Sequence, residues 1–254
     1  MRPVLVLVPV ALLTLAGIPA QWLAVKLNLD ARRWIPVLYH RAVLALVGVR
    51  VRVSGAPAPE RPLLILANHV SWLDICVLGS RFPLCFVAKS EVAGWPGIGL
   101  LARLQRTIFV DRQARAATGR VSETIAARLG AGDPVVLFAE GTSSDGNRVL
   151  PFRSALVGAA RPSTDGAPAA IQPLAIAYVA QGGVSLGRAR RPLVAWYGDM
   201  DLAPHLMEIL RRGGVEVELC FGAPILGADR KAATGRAEAS VRAMMSEALN
   251  PRPV

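Results

Sequence analysis

No charged residue falls between Arg2 and Lys26, and the stretch from Pro3 to Val25 is almost wholly apolar. A helix of that length crosses a bilayer core or lies deep in one leaflet, so the chain opens with a segment that seeks lipid. A secretory signal peptide is the rival reading, with Gly17-Ile18-Pro19-Ala20 as a loose cleavage site. Apolar character continues through Gln21-Trp22-Leu23-Ala24-Val25 with no small-x-small site after it, which favours a retained anchor. Lys26, Arg32, Arg33 and Arg41 outnumber the single Arg2 before the segment, predicting that the following domain faces the cytoplasm. A second apolar stretch, Arg32 to Val49, contains His40 and Arg41 and is expected to be interfacial or packed against the first. Pro36 should start or kink it. His40 is read as a packing or interfacial residue. Residues 1–50 are therefore taken as a membrane-associated helical segment and 51–254 as one domain.

That domain alternates β and α signals. Val49-Arg50-Val51-Arg52-Val53 has the period of two of a half-exposed strand. Short apolar runs follow at Leu63–Ala67, Phe86–Ala88, Thr107–Val110, Val135–Ala139, Ile171–Tyr178, Leu193–Tyr197 and Val215–Phe221. Helices are expected between several of them, notably Arg115–Leu129 and Arg230–Leu249, and loops at Gly55–Arg61 and Arg161–Pro168. The pattern predicts an α/β fold, a mixed sheet flanked by helices.

With a net charge of +11 and a mean hydropathy of +0.41, the chain is both basic and hydrophobic. Nucleic-acid binders are usually basic and polar, so this combination favours an anionic membrane surface. The arginines also lack the interleaved aromatics of a single-strand platform, and no nucleic acid is expected as a partner. Cys76, Cys85 and Cys220 are scattered without C-x-x-C spacing and are expected to be core thiols. His40, His69 and His205 lack ligand spacing, so neither metal nor cofactor is expected.

The sharpest chemical feature is Asn68-His69-Val70-Ser71-Trp72-Leu73-Asp74, directly after the strand Leu63–Ala67. On one continuous helix the offset from His69 to Asp74 turns about 140° and parts the side chains. They meet if His69 lies in the loop and Asp74 in the first helical turn. Ser71 as N-cap, with Asp74 at the third helical position, would supply that arrangement. Asp74 could then accept from one imidazole nitrogen and leave the other as a general base. A capped helix beside an incidental histidine is the plainer alternative. No G-x-S-x-G elbow is present, which suggests that any attacking hydroxyl belongs to a substrate.

Two further clusters follow strands. In Phe138-Ala139-Glu140-Gly141-Thr142-Ser143, glycine would let backbone amides approach an oxyanion or polar headgroup, while Glu140 has a structural reading as a loop carboxylate. In Arg106-Thr107-Ile108-Phe109-Val110-Asp111-Arg112, Arg112 is a candidate for paired hydrogen bonds to an anionic headgroup or for a surface ion pair.

Together and in this order, from about residue 32 to 225, these segments resemble the glycerolipid acyltransferase family typified by 1-acylglycerol-3-phosphate acyltransferase. Asn68, His69, Ser71 and Asp74 match its N-H-x-S-x-x-D motif in full. Its K-x-E-L segment is similar to Lys89-Ser90-Glu91-Val92, its second motif to Thr107–Arg112, and its fourth to Ile171-Gln172-Pro173-Leu174. The resemblance implies that His69 deprotonates the acceptor hydroxyl of a lysolipid, which attacks the thioester of acyl carrier protein or coenzyme A. It implies that Asp74 orients His69, and that Lys89, Glu140, Gly141, Thr142 and Arg112 are oxyanion or substrate-binding candidates. Membrane lipid is the implied setting, on the cytoplasmic face of a bacterial inner membrane.

One departure concerns the acceptor. The family's third motif is usually F-P-E-G-T-R, and here Ala139 and Ser143 replace its proline and arginine. Losing one arginine from a phosphate clamp costs about 1.5–3 kcal/mol. The stretch Glu140 to Arg148 also resembles the bacterial branch that acylates lyso-ornithine lipid, a phosphorus-free acceptor. A phosphate-bearing lysolipid remains the alternative acceptor, and a non-catalytic lipid-binding module the alternative class.

Overall fold

The structure, a computed structural model, describes residues 2–110, 118–160, 169–227 and 229–250. Runs such as Leu63–Ala67 and Val135–Phe138 are apolar at every position because both faces of the sheet are covered. Side chains alternate: Leu63, Ile65 and Ala67 pack on one face, Leu64 and Leu66 on the other.

The helices are α1 (Arg2–Lys26), α2 (Ala31–Val47), α3 (Leu73–Gly79), α4 (Ile98–Leu104), α5 (Thr118–Gly130), α6 (Ser154–Ala160), α7 (Leu202–Arg212) and α8 (Arg230–Leu249). The strands are β1 (Val49–Ser54), β2 (Leu63–Ala67), β3 (Cys85–Lys89), β4 (Ile108–Val110), β5 (Val135–Phe138), β6 (Ala170–Gln181), β7 (Val184–Ser185) and β8 (Val215–Phe221). They form one sheet ordered β1-β8-β6-β2-β5-β3-β4, with β7 paired to β6. β2 to β6 run parallel, while β8 is antiparallel to β6 and parallel to β1. The expected mixed sheet flanked by helices is the fold observed. One face carries α2, α3 and α7 with Val6 of α1; the other carries α5, α6 and α8.

One expected strand is absent. Leu193–Tyr197 follows a 3-10 turn at Arg191–Leu193, which Pro192 helps to start. Val194 and Ala195 are fully buried, yet their amides donate to Arg191 O, and Trp196 N donates to Val70 O. Burial, not sheet pairing, made that run apolar. The expected loop Arg161–Pro168 lies outside the described residues, as do residues 115–117 of the expected helix Arg115–Leu129.

Pro36 neither starts α2 nor ends it; it sits inside the helix and is buried. A proline has no N–H, so the carbonyl four residues earlier, on Arg32, loses its helical donor. Gln21 Nε2 of α1 supplies that bond at 3.0 Å and also donates to Leu104 O, at the end of α4, at 2.8 Å. Gln21 is 5% exposed, so its amide is a buried polar group whose nitrogen is satisfied by two carbonyls. At the other end of α1, Arg2 donates to Val47 O and Leu210 O. Gly213, at φ +56°, makes room for that guanidinium, since a Cβ there would lie 1.9 Å from its Nη2. Between these ties Thr14 hydrogen-bonds Tyr39 of α2 at 2.8 Å, whereas Val4, Leu5, Val8, Leu12, Leu15 and Trp22 are exposed. His40 is buried against Gly79, with Nε2 3.1 Å from Gln105 Oε1; burial lowers its pKa to about 4. It is a packing residue. None of the three cysteines is paired, and burial pushes the Cys76 thiol up to about 12.

Candidate active site

The C-terminal ends of β2, β5, β3 and β4 lie along one edge of the sheet, where Ala67 pairs with Phe138 and Lys89 with Val110. Loops at such an edge are where open α/β sheets build ligand sites. Asn68 extends the ladder beyond β2 with its side chain: Nδ2 donates to Ile176 O at 3.0 Å, and Ile176 N donates to Oδ1 at 2.8 Å. Held there, the chain turns through His69 to Ser71 and enters α3.

His69 Nδ1–H donates to Asp74 Oδ2 at 2.7 Å. The carboxylate is fully buried, and Oδ2 also accepts from Val70 N at 2.7 Å and Ser71 N at 3.1 Å. The bond from Ser71 N is the reach-back expected of Asp74 in a capping box, while the reciprocal bond to the Ser71 hydroxyl is not made. The helix begins at Leu73 after Trp72, and Ser71 makes no side-chain cap. Oδ1 accepts from Tyr178 Oη at 2.7 Å. With Nδ1 committed to Asp74, the tautomer leaves Nε2 with its lone pair, and the His69 side chain is 20% exposed. The ring stacks on Phe138 with centroids 4.0 Å apart and an interplanar angle of 19°.

Glu140 sits beneath this pair. It is 1% exposed; Oε2 accepts from His69 N at 3.3 Å and Oε1 from Leu150 N at 2.9 Å. Ser144 N donates to His69 O at 2.9 Å, so the loops after β2 and β5 are stitched together. Burial raises the Glu140 carboxyl to about 8, outweighing the two backbone donors that favour its anion. The folded chain thus holds this proton more tightly than the unfolded chain, and stability should fall as pH rises from the ordinary carboxylate range toward 8. Thermal denaturation across that range should show the decline. Glu140→Gln should flatten it, at a cost of about 1–3 kcal/mol for the backbone N–H left without an acceptor. Equal pH slopes in the two proteins would refute the assignment.

Of the other residues singled out in the sequence, Lys89 is exposed at the end of β3 and Thr142 is exposed in the loop after β5. Gly141 is buried, and its amide donates to Phe138 O at 3.1 Å. Arg112 lies outside the described residues. Tyr178 and Phe138 were not anticipated beside His69. Tyr178 had a signal, because a phenol in an otherwise apolar buried strand needs a hydrogen-bond partner.

Residues 50–177 match the family model described as Acyltransferase. A lyso-ornithine lipid O-acyltransferase of Brucella abortus is 47% identical over 100% of this chain and 97% of its own length. One from Rhizobium meliloti is 44% identical over 95% of this chain and 85% of its own. A 1-acyl-sn-glycerol-3-phosphate acyltransferase of Neisseria meningitidis is 32% identical, covering 86% and 83%. The crystal structure of a 1-acyl-sn-glycerophosphate acyltransferase from Thermotoga maritima superposes over all of both chains with a TM-score of 0.62 and 19% identity, which is a likeness of fold.

Proposed function

The chain belongs to the acyltransferase family, and on that premise we propose that it acylates the free hydroxyl of lyso-ornithine lipid, with His69 as general base and Asp74 as its orienting partner. An acyl-transferring enzyme of this family takes a lysolipid acceptor and an acyl donor; the proposed donor is the thioester of acyl carrier protein or coenzyme A. The observation that carries the mechanism is the 2.7 Å bond from Nδ1 to Asp74, which leaves Nε2 to accept the hydroxyl proton. The alkoxide so formed attacks the thioester carbonyl, the thiolate leaves, and the imidazolium returns its proton to the sulfur. Lys89, Thr142 and the loop at Gly141 are the proposed neighbours of the developing oxyanion, Arg112 of the headgroup, and Glu140 supports the loop that carries His69.

Membrane association goes with the family, and the cytoplasmic face of the inner membrane is the proposed location. Residues 1–50 would form the seat. Arg2 and Gln21 both bond to the domain across about 28 Å of helix, which supports a helix lying flat in one leaflet. Trp95, Ile98, Leu100 and Met200 are also exposed, and Trp95 packs edge-on against Trp196, whose amide holds the His69 loop at Val70. This apolar rim continues from α1 toward His69 and suits a lipid acceptor.

Ser143 and the two similar lyso-ornithine lipid enzymes favour the phosphorus-free acceptor. Purified protein supplied with acyl carrier protein thioester should acylate lyso-ornithine lipid in preference to 1-acylglycerol-3-phosphate, and Ser143→Arg should narrow the gap. A clear preference of the unaltered protein for the phosphate acceptor would defeat this choice.

A further inference from the structure

Beside the His69 loop, a cavity of about 560 Å³ opens between residues 147–149, 185–191 and the end of α8, its wall drawn from both faces of the sheet through Leu186 and Met245. Four arginines line it, Arg148, Arg188, Arg191 and Arg242, and no acidic residue does. Asn147 anchors the wall: its Nδ2 donates to Arg188 O and its Oδ1 accepts from Arg191 Nη1, each at 3.1 Å. Arg242 is paired with Glu238 at 2.8 Å. No hydrogen bond or ion pair occupies the guanidinium of Arg148 or Arg188 among the described residues, and both are exposed. Arg191 Nε is buried and likewise unpartnered among them. Partial burial and then the neighbouring Arg188 hold the Arg191 pKa below its ordinary value, with Asp145 opposing. Like charges crowded around a cavity of this size are relieved by an anion.

We propose that this cavity receives the phosphate-bearing pantetheine end of the acyl thioester donor; the inference rests on the acyl-transfer reading above. Two placements argue for the donor over the lipid acceptor. None of the residues lining the cavity belongs to α1 or α2 or to the exposed apolar rim at Trp95, Ile98, Leu100 and Met200, so the cavity stands apart from the lipid seat. A water-soluble donor can enter there. The cavity is also close enough to serve His69. Ser144 N is bonded to His69 O, and Asn147 is three residues further on, about 10 Å at full extension. A pantetheine arm laid over this short loop would bring its thioester to the imidazole while the phosphate stays among the arginines. Arg148 and Arg188 supply the paired, charge-assisted donors that phosphate geometry suits. Carrier-protein and coenzyme A donors share that phosphate.

The test is Arg148→Ala/Arg188→Ala in the full chain, in detergent, with three donors: acyl carrier protein thioester, acyl-CoA and a phosphate-free acyl-pantetheine. The donor KM should rise about tenfold or more for both phosphorylated thioesters. It should not change for acyl-pantetheine, nor should kcat or the acceptor KM. Calorimetric binding of free coenzyme A should weaken by a similar factor, and should do so equally in a His69→Ala background. That binding measurement needs no turnover, so it reports on the cavity even if the His69 mechanism is wrong. A rise in the acceptor KM instead would assign the arginines to the lysolipid and overturn the proposal. So would an effect confined to the carrier-protein donor, which would mark a protein-docking surface, or unchanged donor KM and coenzyme binding.

Discussion

His69→Ala is expected to lower acyl transfer by about 10²–10⁴-fold, the usual contribution of a positioned general base. No other histidine can replace it. His40 is buried and bonded to Gln105, while Nδ1 of His205 accepts from Trp72 Nε1 at 3.0 Å. Folding and membrane association should survive the change. The imidazole is at the rim, and Asp74 keeps the donors Val70 N, Ser71 N and Tyr178 Oη when it is gone. Transfer assays on His69→Ala vesicles, with sedimentation to confirm that the protein still binds them, separate the two effects. Undiminished transfer would sink the mechanism. A non-catalytic lipid-binding module would show no transfer before the substitution either.

Asp74→Ala should produce the largest combined loss. The carboxylate is fully buried and accepts from four donors, two of them backbone amides at the mouth of α3. Each buried donor left without an acceptor costs about 1–3 kcal/mol, and because they share one site the costs do not simply add. A destabilisation on the order of 3–5 kcal/mol is expected, together with loss of transfer. Asp74→Asn separates the roles. An amide oxygen still accepts from the helix mouth, but the charge that stabilises an imidazolium is gone. That variant should fold and yet transfer acyl groups far more slowly. Thermal unfolding of both proteins checks this, and an Asp74→Ala melting temperature equal to wild type would contradict the contacts described.

Much of this was legible in the residues because the strands are short apolar runs between turn signals and the His69–Asp74 spacing fits only a loop entering a helix. What misled was apolarity that serves burial without pairing. Leu193–Tyr197 has a strand's composition, but Pro192 diverts its amides into a turn. Capping was anticipated at the right place and is half formed: Asp74 reaches back to Ser71 N, whereas the Ser71 hydroxyl takes no helix amide. The partners of Tyr178, Phe138 and Gln21 could not be read because they are distant in sequence: Tyr178 is 104 residues from Asp74, and Gln21 is 83 from Leu104. The arginine cavity has the same cause, assembled from three separate segments.

The two ties on α1 alter the meaning of the charges around it. For a helix that crosses a bilayer, Arg2 and Lys26 would stand in opposite compartments, and their imbalance would vote on orientation. A helix fastened at Arg2 and again at Gln21 to one domain would, in the one-leaflet seat proposed above, keep both flanks in the same compartment. Under the proposed seat Arg2 is spent on the domain and Arg33 on Asp133, which leaves exposed Lys26, beside Trp22, as the flank free to meet anionic headgroups.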